Sequence, residues 1–389
     1  MVTIIFYASG REGRFNKSYV NKKQTYYLIS RILALDFCPG TSQDIIKDLP
    51  KTKAQWQALV SLGSSHLVLP AVYLSLKRHQ LLIHLPEDLE EYLQYVHDLN
   101  VKRNGKIIQH CKDIRALLHA KDIAIVFMKG TGHLLDGLYG DIGERMMYDI
   151  DVLVAEDEML NAARLLEENG FRPVKEFLPR ALASTMHYPL LQRDDFIAGI
   201  EVHRLPTQYF YRKNFSGEMV FSFLKKAHMD EDLWVMNNKL KILHNFIHSQ
   251  LMHGGHYHGD VSLRDLYDML LLSKREPLYE TFAGYGNYRS KAIGYQKLMY
   301  KVFRLPVPEN LQNSSRGNFF LVRQEWTLNM SKRSLAIFHL LMMGIKKYIS
   351  LPLHVIWNKD ARNYVFARLL KPSWYASHFK ALKRHWRGL

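Results

Sequence analysis

Cysteine is scarce in this sequence. Its 389 residues include only Cys38 and Cys111, which lie far apart and belong to no CxxC pair. The sequence therefore supports neither a disulfide framework nor a zinc-thiolate site.

Long apolar runs are also missing. No segment reaches the roughly 18 uninterrupted apolar residues of a membrane-spanning helix. The N-terminus places a short apolar run before its basic residues, which is the reverse of a secretory signal. At 47% hydrophobic and 23% charged residues, the composition is that of a folded globular protein. We therefore expect a cytoplasmic protein, with peripheral contact to a membrane left open.

Acidic residues are few relative to basic ones. The chain has 37 Asp and Glu against 53 Lys and Arg, which gives a formal net charge of +16. A charge of this size favours anionic partners, and these include nucleotides, nucleic acid and an acidic membrane face.

The imbalance is large in the tail, residues 331–389, where twelve Lys or Arg accompany a single acid, Asp360. Trp357, Trp374 and Trp386 lie among these basic residues. Interleaved aromatic and basic residues can contact an anionic membrane or grip single-stranded nucleic acid. A helical subdomain with an aromatic core and solvated charges explains the same composition equally well.

Hydrophobic periodicity divides the rest of the chain into three sections. Residues 1–120 have helical spacing, residues 121–215 alternate β-branched runs with amphipathic segments, and helical signals return over 216–330. The middle section has the order strand, helix, strand, helix, strand, which predicts a compact α/β unit. The predicted fold class is therefore α+β, with an α/β core flanked by helical N-terminal and C-terminal regions.

Two local helices are predicted. One is expected over 133–139, "HLLDGLY", with Gly130 and Gly132 at its start and a Gly-rich loop after it, and the other over 219–229, "MVFSFLKKAHM". Glycines before a helix allow a close backbone approach to phosphates, and the N-terminus of a helix favours anions.

Two aspartates interrupt an apolar strand at "DIDVLV". Successive side chains on a strand alternate between faces, so Asp149 and Asp151 point the same way while Ile150 and Val152 point into the core. Two carboxylates this close repel each other, and a divalent metal relieves that repulsion. Oxygen ligands of this kind suit Mg²⁺ or Mn²⁺.

A third acid is available on the predicted strand "IEVH". Glu201 and His203 share one face of that strand, so His203 could order the Glu201 carboxylate or contact a phosphate. His187 is placed on a neighbouring strand. A lone DxD motif also occurs at strand ends, where its acids meet only water, and a histidine at either position is also compatible with a structural role. The apolar flanks, the nearby "KGTG" and Glu201 favour a metal site.

These stretches resemble the uncharacterised nucleotidyltransferase family of the DNA polymerase beta-like nucleotidyltransferase superfamily. The family pattern is LKG, then an arginine ahead of DxDxLV, then a strand with acid-x-His. The sequence has "MKG", "RMMYDIDVLV" and "IEVH" in that order, and the likeness covers about residues 25–275. The resemblance implies a nucleotidyltransferase-type α/β core, a mixed sheet with helices packed against it, and a site where two aspartates hold Mg²⁺.

The resemblance also implies roles for individual residues. Asp149 and Asp151 match the metal-binding pair, and Glu201 matches the third acid, which completes the metal site or assists deprotonation of the acceptor. All three are the candidate catalytic and metal-binding residues. A bound metal neutralises a triphosphate and orients its α-phosphorus.

A second group of residues is expected to bind the nucleotide. Lys129 and Gly130 match the LKG element, and Arg145 matches the family arginine four residues before the first aspartate. Thr131 is placed with them at the phosphates, although the wider superfamily has Gly or Ser there. Tyr148 departs from the small polar residue more usual before the first aspartate, and either narrows the nucleotide site or packs against the sheet.

Histidines are concentrated over residues 244–258. His244 and His248 are four residues apart, on one face of a predicted helix, and His253, His256 and His258 follow. Zinc could be held by such a set, but no HExxH motif is present. We favour surface and interhelical histidines that line the substrate cleft.

Two hypotheses for function follow. The first is an Mg²⁺- or Mn²⁺-dependent nucleotidyltransferase that moves an NMP unit, or a phosphoryl group, from an NTP to an unidentified acceptor, which could be a small molecule, a sugar, a peptide or RNA. The second is a non-catalytic protein that binds nucleic acid or an anionic membrane on an inherited nucleotidyltransferase fold.

Overall fold

The computed structural model describes residues 21–177, 185–259 and 261–345, together with residues 355–356, 362, 366 and 375–376. The three tail tryptophans singled out above, Trp357, Trp374 and Trp386, lie outside the described residues, as does most of the tail.

The described N-terminal section is helical, as predicted. Its helices are α1 (Lys22–Leu33), α2 (Ser42–Asp48), α3 (Lys53–Ser65), α4 (Leu69–Arg78) and α5 (Glu87–His119). The 33-residue helix α5 starts directly after Pro86, and its first turn carries Glu87, Asp88 and Glu90. Proline fixes the backbone for helix entry, and acids in the first turn are stabilised by the helix dipole.

A mixed sheet of seven strands follows within the described part of the chain. The strands are β1 (Val126–Phe127), β2 (Asp149–Leu153), β3 (Arg172–Pro173), β4 (Leu191–Gln192), β5 (Gly199–His203), β6 (Leu224–Lys226) and β7 (Trp234–Met236), in the spatial order β3-β4-β5-β2-β1-β7-β6. Strands β2 and β5 are parallel, as are β1 and β7, whereas the other neighbours are antiparallel. The predicted α+β class with a mixed sheet is confirmed.

The short helices within this unit are α6 (Lys129–Leu135), α7 (Met159–Glu168) and α8 (Gly217–Ser222). Helix α7 ends just before Gly170, whose φ of +88° lies in the left-handed region that glycine tolerates without strain. Two of the local predictions are wrong. Helix α6 begins at Lys129 rather than after the glycines, and the helix predicted over 219–229 stops at Ser222, where the chain turns into β6.

Strands β6 and β7 extend the sheet beyond residue 215. They form an antiparallel hairpin that pairs Leu224 with Met236, and Phe127 of β1 pairs with Val235. Only three residues on each side enter this pairing, so the hairpin carries too short an apolar alternation to stand out in the sequence.

The remaining described helices follow the sheet in sequence. They are α9 (Asn238–Phe246), α10 (Gly255–His258), α11 (Leu263–Ser273), α12 (Leu278–Ala283), α13 (Arg289–Val302), α14 (Glu309–Gln312), α15 (Ser315–Asn329) and α16 (Lys332–Ile345). A π-helical turn, Ile247–Met252, continues α9.

The helices at the two ends of the chain share one hydrophobic core. Buried side chains of α1 and α4 pack with those of α9, α11 and α13. Two buried hydrogen bonds join the ends directly: the Tyr26 hydroxyl donates to the Val261 carbonyl over 3.1 Å, and the Ser30 hydroxyl donates to that of Val302 over 2.7 Å. A second core lies between the sheet and helices α5 and α7. The sheet is therefore held between helical layers.

Among the described residues, no single helix is long and apolar enough to cross a membrane. One bent pair, α3 with α4, meets the criteria of length and composition when its two helices are taken together across a 117° bend.

Candidate active site

The acids predicted from the sequence lie on two neighbouring parallel strands. Asp151 of β2 is the register partner of Glu201 of β5, and Asp149 is the partner of Gly199. Because the side chains of a strand alternate, Asp149, Asp151, Glu201 and His203 all project from the same side of the sheet. Ile150 and Val202 project from the opposite side, where both are fully buried.

Asp151 is the most tightly held of the three acids. Its Oδ1 accepts a hydrogen bond from Lys129 Nζ over 2.5 Å and lies 2.8 Å from His203 Nε2. Glu201 Oε2 is 3.3 Å from the same His203 nitrogen and 3.8 Å from the Lys129 ammonium. The Asp151 side chain is 3% exposed and that of Glu201 is 21% exposed, so Glu201, unlike Asp151, reaches toward solvent.

The pKa values of Asp151 and Asp149 are shifted in opposite directions. Burial alone would raise the pKa of Asp151, but the Lys129 ammonium and the His203 ring hold it well below its usual range. Burial, followed by repulsion from Asp151, raises the pKa of Asp149 to about 6. No side chain in the described part of the chain donates a hydrogen bond to the Asp149 carboxylate or forms an ion pair with it.

Three of these groups could hold a metal ion. Asp151, Glu201 and His203 each offer one ligand atom, and the three atoms lie within 4.8 Å of one another. Asp149 projects from the same side of the sheet and carries a carboxylate without a counter-charge of its own. Three carboxylates with one imidazole form a donor set that fits a divalent cation, because oxygen ligands suit Mg²⁺ and Mn²⁺ and Mn²⁺ also accepts imidazole.

Lys129 reaches the acids from an unusual backbone conformation. Its φ is +50°, in the left-handed region where a residue with a side chain is strained by about 1 kcal/mol. Since the backbone at β1 and α6 is fixed by the sheet, this conformation aims the ammonium at Asp151. Burial alone would lower the pKa of Lys129, but Asp151 and Glu201 keep it raised.

Gly130 and Thr131 lie in the first turn of α6. A Cβ on Gly130 would stand 2.7 Å from Arg145 Nη1, so the glycine makes room for the guanidinium. Thr131 is buried, and its hydroxyl donates to the Asp149 backbone carbonyl over 3.3 Å. The structure therefore brings Gly130 to the site, whereas the Thr131 hydroxyl is directed at the backbone of β2.

Arg145 is paired with an acid that the sequence reasoning missed. Its guanidinium donates to both oxygens of Asp268 on α11, with Nε 3.1 Å from each and Nη2 2.9 Å from Oδ2. Asp268 also accepts from the Tyr139 hydroxyl over 2.8 Å. Burial would raise the pKa of Asp268, but Arg145 and His133 lower it below its usual range. The sequence indicates Asp268 only by the presence of an acid within the otherwise apolar helix "LYDMLLL".

Polar residues of α5 hold the loop that leads into β2, and these too were missed. Asn100 Nδ2 donates to the carbonyls of Gly143 and Arg145 over 2.7 and 3.0 Å. Asn104 Nδ2 donates to Arg145 O over 2.9 Å, and Arg103 Nε donates to Met147 O over 3.3 Å. The long helix thereby fixes where β2 begins and where Asp149 stands.

A cavity of about 430 Å³ lies over the acids. Its lining includes seven of the nine predicted site residues: Lys129, Gly130, Arg145, Asp149, Asp151, His187 and Glu201. Thr131 and His203 are buried behind this surface. The cavity is large enough for part of a nucleoside triphosphate.

Histidines contribute a part of the cavity lining that we call the histidine wall. His244 of α9 and His248 and His253 near the π-helical turn all line the cavity, and the Nε2 atoms of His248 and His253 are 3.1 Å apart. Burial lowers the pKa of His244 to about 3, so its ring is neutral at physiological pH. His256 and His258 lie elsewhere, against Phe320 and His339.

Two further predicted positions lie at the edge of the site. His187 forms a β-bridge with His203, and their ring centroids are 5.0 Å apart, which places His187 beside β5 as the sequence indicated. Tyr148 is 67% exposed and lines the cavity, so of its two predicted roles the packing against the sheet is not observed.

A comparison with known families identifies one that spans the candidate site. A family described as uncharacterised nucleotidyltransferase matches residues 52–307, which is well over half of the chain and includes every residue of the candidate site. No curated protein and no solved structure matches the chain.

Proposed function

Because the chain belongs to the uncharacterised nucleotidyltransferase family, we propose that it transfers a nucleotidyl group from an NTP to an acceptor and depends on a divalent metal. The observation that carries the proposal is the row of Asp149, Asp151 and Glu201 on paired parallel strands, facing a cavity. The preferred metal in this proposal is Mg²⁺ or Mn²⁺, because the donor set is rich in carboxylate oxygen.

Each residue has a proposed role that follows from its position. Asp149, Asp151 and Glu201 would hold the metal, which supplies charge neutralisation to a bound triphosphate. His203, donating from Nε2 to Asp151, orients that carboxylate. The Lys129 ammonium already contacts Asp151, and Lys129 lines the cavity. When metal is present, this ammonium would turn to the phosphates.

The bond changes of the proposed step are those of an in-line displacement. The acceptor oxygen bonds to the α-phosphorus, the bond between that phosphorus and the β-phosphate bridging oxygen breaks, and pyrophosphate leaves with the electron pair. The acceptor proton passes to Glu201, which is the acid of the pair that reaches solvent. The Arg145 guanidinium donates hydrogen bonds to both carboxylate oxygens of Asp268. We therefore assign Arg145 a positioning role.

The acceptor is proposed to bind on the histidine wall. His248 and His253 line the cavity with imidazole nitrogens, and burial lowers the pKa of His248 well below its usual range. Asn245, Arg264 and Asp265 also line the cavity. A lining of this kind suits a polar acceptor with several hydroxyl or amide groups better than a polyanion.

Label transfer tests the proposal. The protein is incubated with Mn²⁺ or Mg²⁺ and with each NTP carrying the label on either the α- or the γ-phosphate, in the presence of an extract separated into small molecules, RNA and protein. Nucleotidyl transfer moves the α-label and releases pyrophosphate, whereas phosphoryl transfer moves the γ-label. If no fraction gains the α-label above the level of Asp151→Asn, the proposal is wrong.

One observation favours the non-catalytic alternative. The Lys129 ammonium already neutralises Asp151, so this acid is stabilised without a metal ion. A protein that uses the fold only for binding would bind polyanions with an affinity that falls steeply with salt and is unchanged in Asp149→Ala. Measurement of NTP turnover and polyanion binding in the same variant separates the two hypotheses.

A further inference from the structure

The C-terminal helices α15 and α16 present an apolar surface to solvent. On α15, Phe319, Val322 and Trp326 are exposed, with Val322 70% and Trp326 55% accessible. On α16, Ile337, Leu341 and Ile345 are exposed, with Leu341 62% accessible. We call these six residues the outer face.

The outer face consists of one stripe of apolar side chains on each helix. Positions 319, 322 and 326 follow i, i+3, i+7, and positions 337, 341 and 345 follow i, i+4, i+8, so each set lies along one side of its helix. The Trp326 and Phe338 rings meet edge to face, with centroids 5.2 Å apart, and this contact joins the two helices.

Helix α15 already buries a different apolar side. Phe320 and Leu328 are buried in the shared core, and Phe320 packs on Gly294 of α13. The outer face is therefore additional to what the fold needs. Clustered exposed apolar side chains of this kind mark sites of contact with another surface, because water does not stabilise them.

The charged residues in the sequence of these two helices, and in the sequence that follows them, are mostly basic. Between residues 315 and 345 the chain has four Lys or Arg and one acid, Glu325, which forms an ion pair with Lys23. The Arg323 guanidinium stacks over the rings of Phe319 and Phe320. The following sequence, 346–389, adds ten Lys or Arg and the single acid Asp360.

We propose that the outer face of α15 and α16 docks on an anionic membrane surface. Aliphatic and aromatic side chains would enter the boundary between headgroups and acyl chains, with Trp326 at the level suited to its amphipathic ring, while the basic residues meet anionic headgroups. A second copy of the chain fits poorly, because two strongly basic surfaces repel each other. Nucleic acid would satisfy the charge but leave Val322 and Leu341 in contact with phosphate and water.

Vesicle flotation tests the proposal with the full chain. Vesicles of phosphatidylcholine with about one-third phosphatidylserine are compared with vesicles of pure phosphatidylcholine. The test variant replaces Val322, Trp326 and Leu341 by Ser. The matched control is Ile83→Ser, which changes an aliphatic side chain that is 84% exposed in the N-terminal section. Because all four positions are exposed, folding is preserved, and circular dichroism confirms it.

We expect the wild type and Ile83→Ser to float with the anionic vesicles, and the triple variant to partition at least about ten-fold more weakly. Three results would overturn the proposal: no flotation of the wild type, equal flotation of the triple variant, or a concentration-dependent dimer that the triple variant abolishes while vesicles are not bound. Retention on single-stranded RNA without flotation would also overturn it.

Discussion

Asp151 and Glu201 are register partners on the parallel strands β2 and β5, and His203 Nε2 lies within 3.3 Å of a carboxylate oxygen of each. Parallel pairing forces these side chains together, because partners on neighbouring strands project from the same side. Asp149, two residues earlier on β2, joins them from the same side. The sheet thus concentrates three carboxylates, and Lys129 is the cation that faces them.

Removing Asp149 should stabilise the metal-free protein at neutral pH. Burial and Asp151 raise the pKa of Asp149 to about 6, above its ordinary value of 3.8, so ionisation of this group destabilises the folded state as pH rises from about 4 to 6. The penalty is fully present above the folded pKa. Asp149→Asn should therefore gain about 1–2 kcal/mol in free energy of unfolding at pH 7 and less at pH 4. Urea unfolding at both pH values measures this difference.

A bound metal ion should reverse the order of stability of the wild type and Asp149→Asn. With saturating Mn²⁺ the wild type gains stability by ligand linkage, and Asp149→Asn should gain less because it has lost one carboxylate. In the metal-free comparison, Asp149→Asn could instead gain the same free energy of unfolding at pH 4 as at pH 7. That result would show that ionisation of Asp149 does not cause the difference in stability.

Replacing Lys129 should separate metal binding from nucleotide binding. The Lys129 ammonium occupies the position beside Asp151 where a cation is favoured, so Lys129→Met should bind free Mn²⁺ more tightly, by about three- to ten-fold. The same variant should bind an NTP with Mn²⁺ more weakly, because a phosphate contact is lost. Titration calorimetry measures both affinities.

The matched control for that variant is Lys112→Met, which removes a partly exposed lysine from an ion pair with Asp230. It should leave both affinities unchanged. A Lys129→Met protein that lost affinity for Mn²⁺ and for NTP together would indicate that the lysine supports the site rather than competing for it.

Breaking the pair between Arg145 and Asp268 should destabilise the fold. Asp268→Asn leaves a buried guanidinium without a counter-charge, and we expect a loss of about 3–5 kcal/mol in the free energy of unfolding. Asp265→Asn, on the same helix and partly exposed, should lose less than about 1 kcal/mol. Chemical denaturation of both variants gives the comparison.

A double variant tests the pairing itself. Arg145→Met with Asp268→Asn should lose less than the sum of the two single variants, because the second substitution removes a charge that the first had left unpaired. Additive losses would mean that the two residues stabilise the fold independently.

The strands that carry the acids were predictable because their signal is local. Apolar alternation in "DIDVLV" and "IEVH" indicates which side chains share a face within each strand. The parallel pairing of the two strands and the register of Asp151 with Glu201 were not predicted, because strand order depends on contacts between distant parts of the chain.

The partners of the site were not predictable because they are distant in sequence. Asp268 is 123 residues from Arg145, and nothing near either residue indicates the other. Lys129 was identified as a phosphate ligand from the LKG element, but its contact with Asp151 depends on a left-handed backbone that no local pattern specifies. Strands β6 and β7 were missed because each has only three residues, too few for an alternation to be recognised.

Calorimetric titration of an NTP in the presence and absence of Mn²⁺ tests the central claim most directly. If the acids hold a metal that binds the triphosphate, the wild type will bind the NTP with Mn²⁺ present and at least about ten-fold more weakly without it, and Asp151→Asn will lose this metal dependence while keeping its fold by circular dichroism. NTP binding that is equal with and without Mn²⁺, or unchanged in Asp151→Asn, would contradict the account.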